Sequence, residues 1–216
     1  MIDVLTNKSP NPVGHLILTH GSMAPMDNLF MEAIVSELVA RRISVTRFEF
    51  AYMAQRRTGG KKRPPPRADK LLVEYLEVIE QIRASAPDDV PLAISGKSLG
   101  GRVASMIAQE QFEAGKISGL ACLGYPFHPV GKPDNLRTAH LKSLSCPALI
   151  LQGERDPFGT PEEIASFDLS PSIRFHWVGD GDHDFRPRAR SGHTRAGNIA
   201  DAAEAIAVFI VSLKMN

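Results

Sequence analysis

An α/β fold, with a mostly parallel sheet of about six to seven strands flanked by helices, is what this 216-residue sequence predicts. Two observations carry that reading. Short runs rich in apolar and β-branched residues alternate with stretches whose apolar residues recur every three or four positions. Such alternation is the pattern of a parallel sheet covered on both faces. The other observation is Leu92-Ala93-Ile94-Ser95-Gly96-Lys97-Ser98-Leu99-Gly100-Gly101, where an apolar strand runs straight into Gly-x-Ser-x-Gly-Gly and then a helical pattern.

The elements follow in order. A first strand is predicted over Val13–Thr19, then a helix from the spacing of Phe30, Ile34 and Leu38. Ser44–Phe50 reads as the next strand. Leu71, Leu72, Tyr75, Leu76, Ile79 and Ile82 mark a helix, with Pro87 just past its end. Leu92–Ser95 is the strand that feeds the glycine-rich turn, and Val103, Met106 and Ile107 continue into a helix. Gly119–Leu123 and Ala148–Leu151 are further strands, and Pro161 signals a short helix starting near Thr160. The last strand is Ile173–Val178, and Ile199, Ala203, Ile206, Ile210 and Leu213 outline a final helix. Residues 56–67, basic and proline-stiffened, and residues 124–142 break the alternation as loops. No repeat or linker divides the chain, so residues 1–216 are expected to form a single domain without a separate cap.

Composition sets bounds on function. Hydrophobic residues at 43% and charged residues at 23% are ordinary for a globular protein, and a net charge of +1 disfavours nucleic acid as a partner. No apolar run is long enough to span a bilayer, and residues 1–7 lack the basic and apolar regions of a secretory signal. Cys122 and Cys146 read as buried reduced thiols, which suits a cytoplasmic setting. The charge is uneven, however: Arg56, Arg57, Lys61, Lys62, Arg63 and Arg67 crowd one stretch, and Arg186, Arg188, Arg190 and Arg195 another.

Chemistry is expected where loops leave the carboxyl ends of parallel strands. A serine hydroxyl is a weak nucleophile, and a sharp strand-to-helix turn presents its oxygen clear of the sheet. Gly96 and Gly100, flanking Ser98, supply the space such a turn needs. Beyond the Ala148–Leu151 strand, Asp156 lies in the following loop; beyond Ile173–Val178, His183 lies in the next. The imidazole would take and return the serine proton, and the carboxylate would hold its tautomer. Backbone N–H groups of Leu99 and of Ser22, in the loop after the first strand, are the expected oxyanion donors. Arg63, His128 and Arg186 are expected at the substrate rim, where the basic stretches 56–67 and 186–195 would recruit anionic substrates; a solvated surface and nucleic-acid contact are the other readings of the 56–67 loop. His20 reads as a buttress of the first loop, Glu154 as a reserve acid, and Lys97 as facing outward from the elbow. Asp180, Asp182 and Asp184 read as turn formers rather than a calcium loop. A phosphate-binding loop ending at Gly96-Lys97-Ser98 is ruled out by Pro91, where a glycine is required.

These stretches resemble the α/β-hydrolase superfamily, in its dienelactone-hydrolase-like group, and especially the small testis-expressed and NSL-complex-subunit hydrolase-like branch. The matching residues include His20-Gly21, Arg63-Pro64-Pro65-Pro66, Gly96 to Gly101, Gly124-Tyr125-Pro126-Phe127-His128-Pro129, Gln152 to Gly159 and Gly181-Asp182-His183-Asp184-Phe185. One departure is Ser22-Met23, where smaller residues are expected. The resemblance implies an α/β-hydrolase domain and supplies no substrate; with the chain order of Ser98, Asp156 and His183 it leads to the expectation of a serine hydrolase that needs no metal or cofactor and acts on a small-molecule ester or thioester, anionic ones included. It also implies a competing role: a hydrolase-fold interaction protein with weak or no turnover, engaging a protein partner or a second copy of itself.

Overall fold

The computed structural model describes residues 1–85 and 90–213. Its single sheet has seven strands: β1 (Val4–Asn7), β2 (Gly14–Thr19), β3 (Ile43–Phe48), β4 (Leu92–Lys97), β5 (Gly119–Leu123), β6 (Ala148–Gly153) and β7 (Ile173–Val178). The order across the sheet is β1-β3-β2-β4-β5-β6-β7. Only β1 runs antiparallel, pairing Val4 with Phe48 at the edge. The six expected strands are all present, with ends shifted by up to two residues. The expectations missed β1, whose four residues carry no apolar alternation and whose order comes from pairing with β3.

Helices α1 (Leu29–Ala40), α2 (Ala51–Ala54), α3 (Leu72–Arg83), α4 (Leu99–Glu113), α5 (Pro161–Ile164) and α6 (Arg195–Ser212) connect and cover the strands. Strand side chains alternate between faces. Leu16 and Leu18 of β2 therefore pack with Phe30, Ile34 and Leu38 of α1 and with Ile199, Ala203, Ile206 and Ile210 of α6. Ile17 of the same strand points the other way, into Tyr75, Ile79 and Ile82 of α3 and Val103 and Ile107 of α4. The spacings read from sequence are thus the buried stripes. Thr160 caps α5 with a reciprocal capping box and Pro161 at the first turn, as Pro161 signalled. Pro87 lies outside the described residues.

Strand order decides where a site can form. From β2 the chain moves outward to β3 and then returns past β2 to β4, so β2 and β4 are adjacent while their following loops diverge. A crevice opens at the carboxyl ends of such a strand pair. Here it is bounded by the loop after Thr19 and the turn after Lys97. Among the described residues no helix is long and apolar enough to cross a membrane.

Candidate active site

β4 ends in a turn that only a crowded, strained backbone can make. Ser98 sits at φ 52°, ψ −112°, a conformation rare for a residue with a side chain. It caps α4, and its N–H donates to the Leu123 carbonyl of β5 at 3.0 Å. A Cβ on Gly96 would lie 2.2 Å from the Gly100 carbonyl carbon, and one on Gly100 would lie 2.7 Å from the His20 carbonyl oxygen. These two glycines therefore let the strand, the helix and the first loop meet around the serine.

Asp156, in the loop after β6, is fully buried. Its Oδ2 faces His183 Nδ1 at 2.8 Å, and its Oδ1 accepts the Phe158 N–H at 2.9 Å. The carboxylate thereby assigns the proton on the imidazole to Nδ1 and turns Nε2 away from itself. Phe158 also lies against the imidazole, with ring centroids 4.5 Å apart. Gly124, at φ +62°, leaves room for that ring: a Cβ there would stand 3.2 Å from Nδ1. The turn carrying His183 is held by Asp182, whose Oδ1 accepts the N–H groups of Asp184 (2.8 Å) and Arg186 (2.9 Å). Asp180 is engaged by Arg188 and Arg155, which hold its carboxyl below the usual range, at about 2. Both aspartates are thus turn builders. Among the described residues no group of three or more His, Cys, Asp or Glu side chains could hold a metal ion.

Ser98 and His183 line one cavity of about 540 Å³, with Gly21, Ser22, Met23, Ala24, Leu29, Phe30 and Phe158 supplying most of the remaining wall. No hydrogen bond joins Ser98 Oγ to His183; they share the cavity without direct contact of that kind. His20, buried and kept neutral by that burial, braces the first loop: Nδ1–H donates to the Gly21 carbonyl at 2.6 Å and Nε2 accepts the Phe50 N–H at 3.2 Å. Tyr52 adds a hydrogen bond to the Ser22 carbonyl at 3.2 Å. Among the described residues the N–H groups of Ser22 and Leu99 have no hydrogen-bond acceptor.

Three expectations need correction. Arg63 does not line the cavity, because its loop is held elsewhere. Arg57 pairs with the buried Glu49 and with Asp27, and Arg56 donates to the Arg63 carbonyl. His128 is buried within the 124–142 excursion, beside Glu163, and also lies off the cavity. Lys97 does not face outward. The strand continues two residues beyond Ser95, so alternation aims Lys97 into the α1/α6 face, where it lines the cavity floor. Of the expected rim, Arg186 alone lines the cavity; Arg195, at the start of α6, lines it too and was not anticipated. Glu154 accepts the Asp180 N–H, and the carboxylate facing His183 Nδ1 is that of Asp156.

Residues 12–211 match the family model described as alpha/beta hydrolase domain. Solved structures share the fold at low identity. Dienelactone hydrolase from Anabaena variabilis is 17% identical, covering 95% of this chain and 89% of that one, with a TM-score of 0.72. An alpha-beta serine hydrolase homologue from Coxiella burnetii is 16% identical over 95% and 89%, with a TM-score of 0.71. Est1E from Butyrivibrio proteoclasticus, solved with ferulic acid bound, is 15% identical over 98% and 96%, with a TM-score of 0.70. No curated protein matches the chain.

Proposed function

Because the chain belongs to the alpha/beta hydrolase family, we propose that it is a serine hydrolase cleaving a small ester or thioester through Ser98, His183 and Asp156. The observation that carries this reading is the 2.8 Å contact between His183 Nδ1 and the buried Asp156, at a cavity whose floor is the strained Ser98. In the proposed reaction Ser98 Oγ attacks the carbonyl carbon as its proton passes to His183 Nε2. The oxyanion accepts from the N–H groups of Leu99 and Ser22, which are free to donate. The tetrahedral intermediate collapses, the leaving group departs with the proton from His183, and an acyl-serine remains. Water, deprotonated by the same imidazole, then releases the acid and restores the serine. Asp156 holds the imidazole's tautomer and stabilises the imidazolium. This chemistry needs no metal or cofactor, and two buried free cysteines suit a reducing cytoplasm.

The cavity wall supports substrates with an apolar portion and an anionic group. Met23, Leu29, Phe30 and Phe158 offer apolar surface, while Arg195 lacks an ion-pair partner among the described residues and its Nε is buried without an acceptor. Anionic acyl esters should therefore be hydrolysed faster than neutral ones of the same length, with salt and Arg195→Gln erasing the difference. Equal rates at low salt would remove this preference.

One observation favours the other reading, an interaction protein on a hydrolase scaffold: no hydrogen bond joins Ser98 to His183. Catalytic contacts in unliganded enzymes are often loose, so this does not outweigh the histidine–aspartate geometry. A fluorophosphonate probe separates the two. The expected result is labelling of the wild type and none of Ser98→Ala; a folded wild type that stays unlabelled supports the scaffold.

A further inference from the structure

We propose that Lys97 is a positioning residue whose ion pair with Asp184 holds the His183 turn in register with the serine elbow. The inference rests on the hydrolase reading above and assigns a role to a side chain that the triad does not use.

Lys97 is the last residue of β4 and immediately precedes Ser98; Asp184 immediately follows His183. The Lys97 side chain is only 8% exposed, and its Nζ lies 3.5 Å from Asp184 Oδ1. A lysine is rarely buried to this degree unless its charge is met. Its ammonium also sits 5.7 Å from the centroid of the Phe30 ring, at the start of α1. Burial pushes the Lys97 pKa below its ordinary value, while Asp184 and then Asp156 act in the opposite direction. The pair therefore joins the elbow strand to the histidine turn beneath the cavity, one residue from each reacting side chain.

Among the described residues no other hydrogen bond or ion pair of the turn has that reach. The Asp156 carboxylate comes from the β6 loop, so it sets the ring's rotation and not the distance from the turn to Ser98. Asp182 braces the turn internally. Phe185 anchors it to α1 by an edge-on contact with Phe30, with centroids 5.4 Å apart, and Asn198 ties the Phe185 carbonyl to α6. Arg186 approaches Asp184 only to 3.9 Å and is more than half exposed, so solvent screens it. Among the described residues, Lys97–Asp184 is the ion pair that runs from the turn to the nucleophile's own strand.

The test is a double-mutant cycle of Lys97→Met and Asp184→Asn, with Lys97→Arg as the conservative variant. Fluorophosphonate labelling and turnover of 4-nitrophenyl acetate, a small neutral ester, are measured beside thermal unfolding. Each single substitution should lower kcat and the labelling rate by about 10- to 100-fold with KM nearly unchanged, as expected for a misplaced reacting group. The double variant should be no slower than the slower single one, and Lys97→Arg should recover most of the rate. A shift in unfolding temperature with the rate of the folded protein intact would overturn the proposal, as would losses that multiply in the double variant. A loss confined to KM would instead assign the ammonium to substrate binding. If the wild type is not labelled at Ser98, the hydrolase reading itself falls, and this role with it. A labelled wild type with unaffected variants removes only the role of Lys97.

Discussion

Ser98 pairs φ 52° with ψ −112°, a combination that L-residues adopt at a cost of about 1–3 kcal/mol when the surroundings impose it. That strain is what a raised nucleophile requires, so relieving it should trade activity for stability. Ser98→Gly is expected to be more stable than Ser98→Ala by about 1 kcal/mol in denaturant unfolding, while neither is labelled by a fluorophosphonate. Equal stabilities would mean the turn is not strained. At this scale the sequence was informative about type and less so about direction. Gly96, Ser98 and Gly100 were legible because turn chemistry is local. The orientation of Lys97 was not, because it depends on β4 running two residues past Ser95 and three past Ile94, its last apolar side chain.

At the scale of elements, the site is assembled by side chains that tie one loop to another. Gln152, at the end of β6, is fully buried with both ends of its amide used. Its Oε1 accepts the Tyr125 N–H at 2.8 Å, and its Nε2 donates to the Tyr125 carbonyl at 3.2 Å and the Gly159 carbonyl at 3.3 Å. It thereby connects the excursion after β5 to the loop that holds Asp156. Gln152→Met keeps the volume but strands buried backbone groups, and should cost about 3 kcal/mol in urea unfolding, with fluorophosphonate labelling slowed in the folded protein. A cost under about 1 kcal/mol would mean the loops hold together without it. The irregular segment 124–142 is explained by the same contacts. Tyr125, which donates to the Arg137 carbonyl, and Phe127, which packs on Phe167 and Phe175, make it a packed seal over the sheet. Short β1 is illegible in the sequence for the opposite reason: four residues that depend on an edge carry no pattern of their own.

Across the whole molecule, three histidines, the buried His20 and the half-buried His15 and His140, are held neutral by desolvation. Burial first, then Arg83, lowers His15 to about 4; burial first, then Arg102, lowers His140 to about 4; burial lowers His20 as well. Each pKa is lower in the folded chain than its ordinary value of 6.5, so the unfolded chain binds these protons more readily. Stability contributed in this way is intact above about pH 6.5 and is lost as pH falls toward 4, by up to about 1.4 kcal/mol per pH unit for each histidine. Urea unfolding at neutral pH and near about pH 5 should show that slope, and His140→Asn should flatten it by one histidine's share; a pH-independent midpoint would refute it. The alternation of strands and helices, the serine turn and the chain order of Ser98, Asp156 and His183 were determined by the sequence alone, because periodicity and turn chemistry act over a few residues. Which loops face one another was decided only by the tertiary structure. The divergence of chain direction between β2 and β4 opened the crevice there, drew Lys97 and Arg195 to it, and left Arg63 and His128 elsewhere, since contacts between distant residues follow strand order and not spacing along the chain.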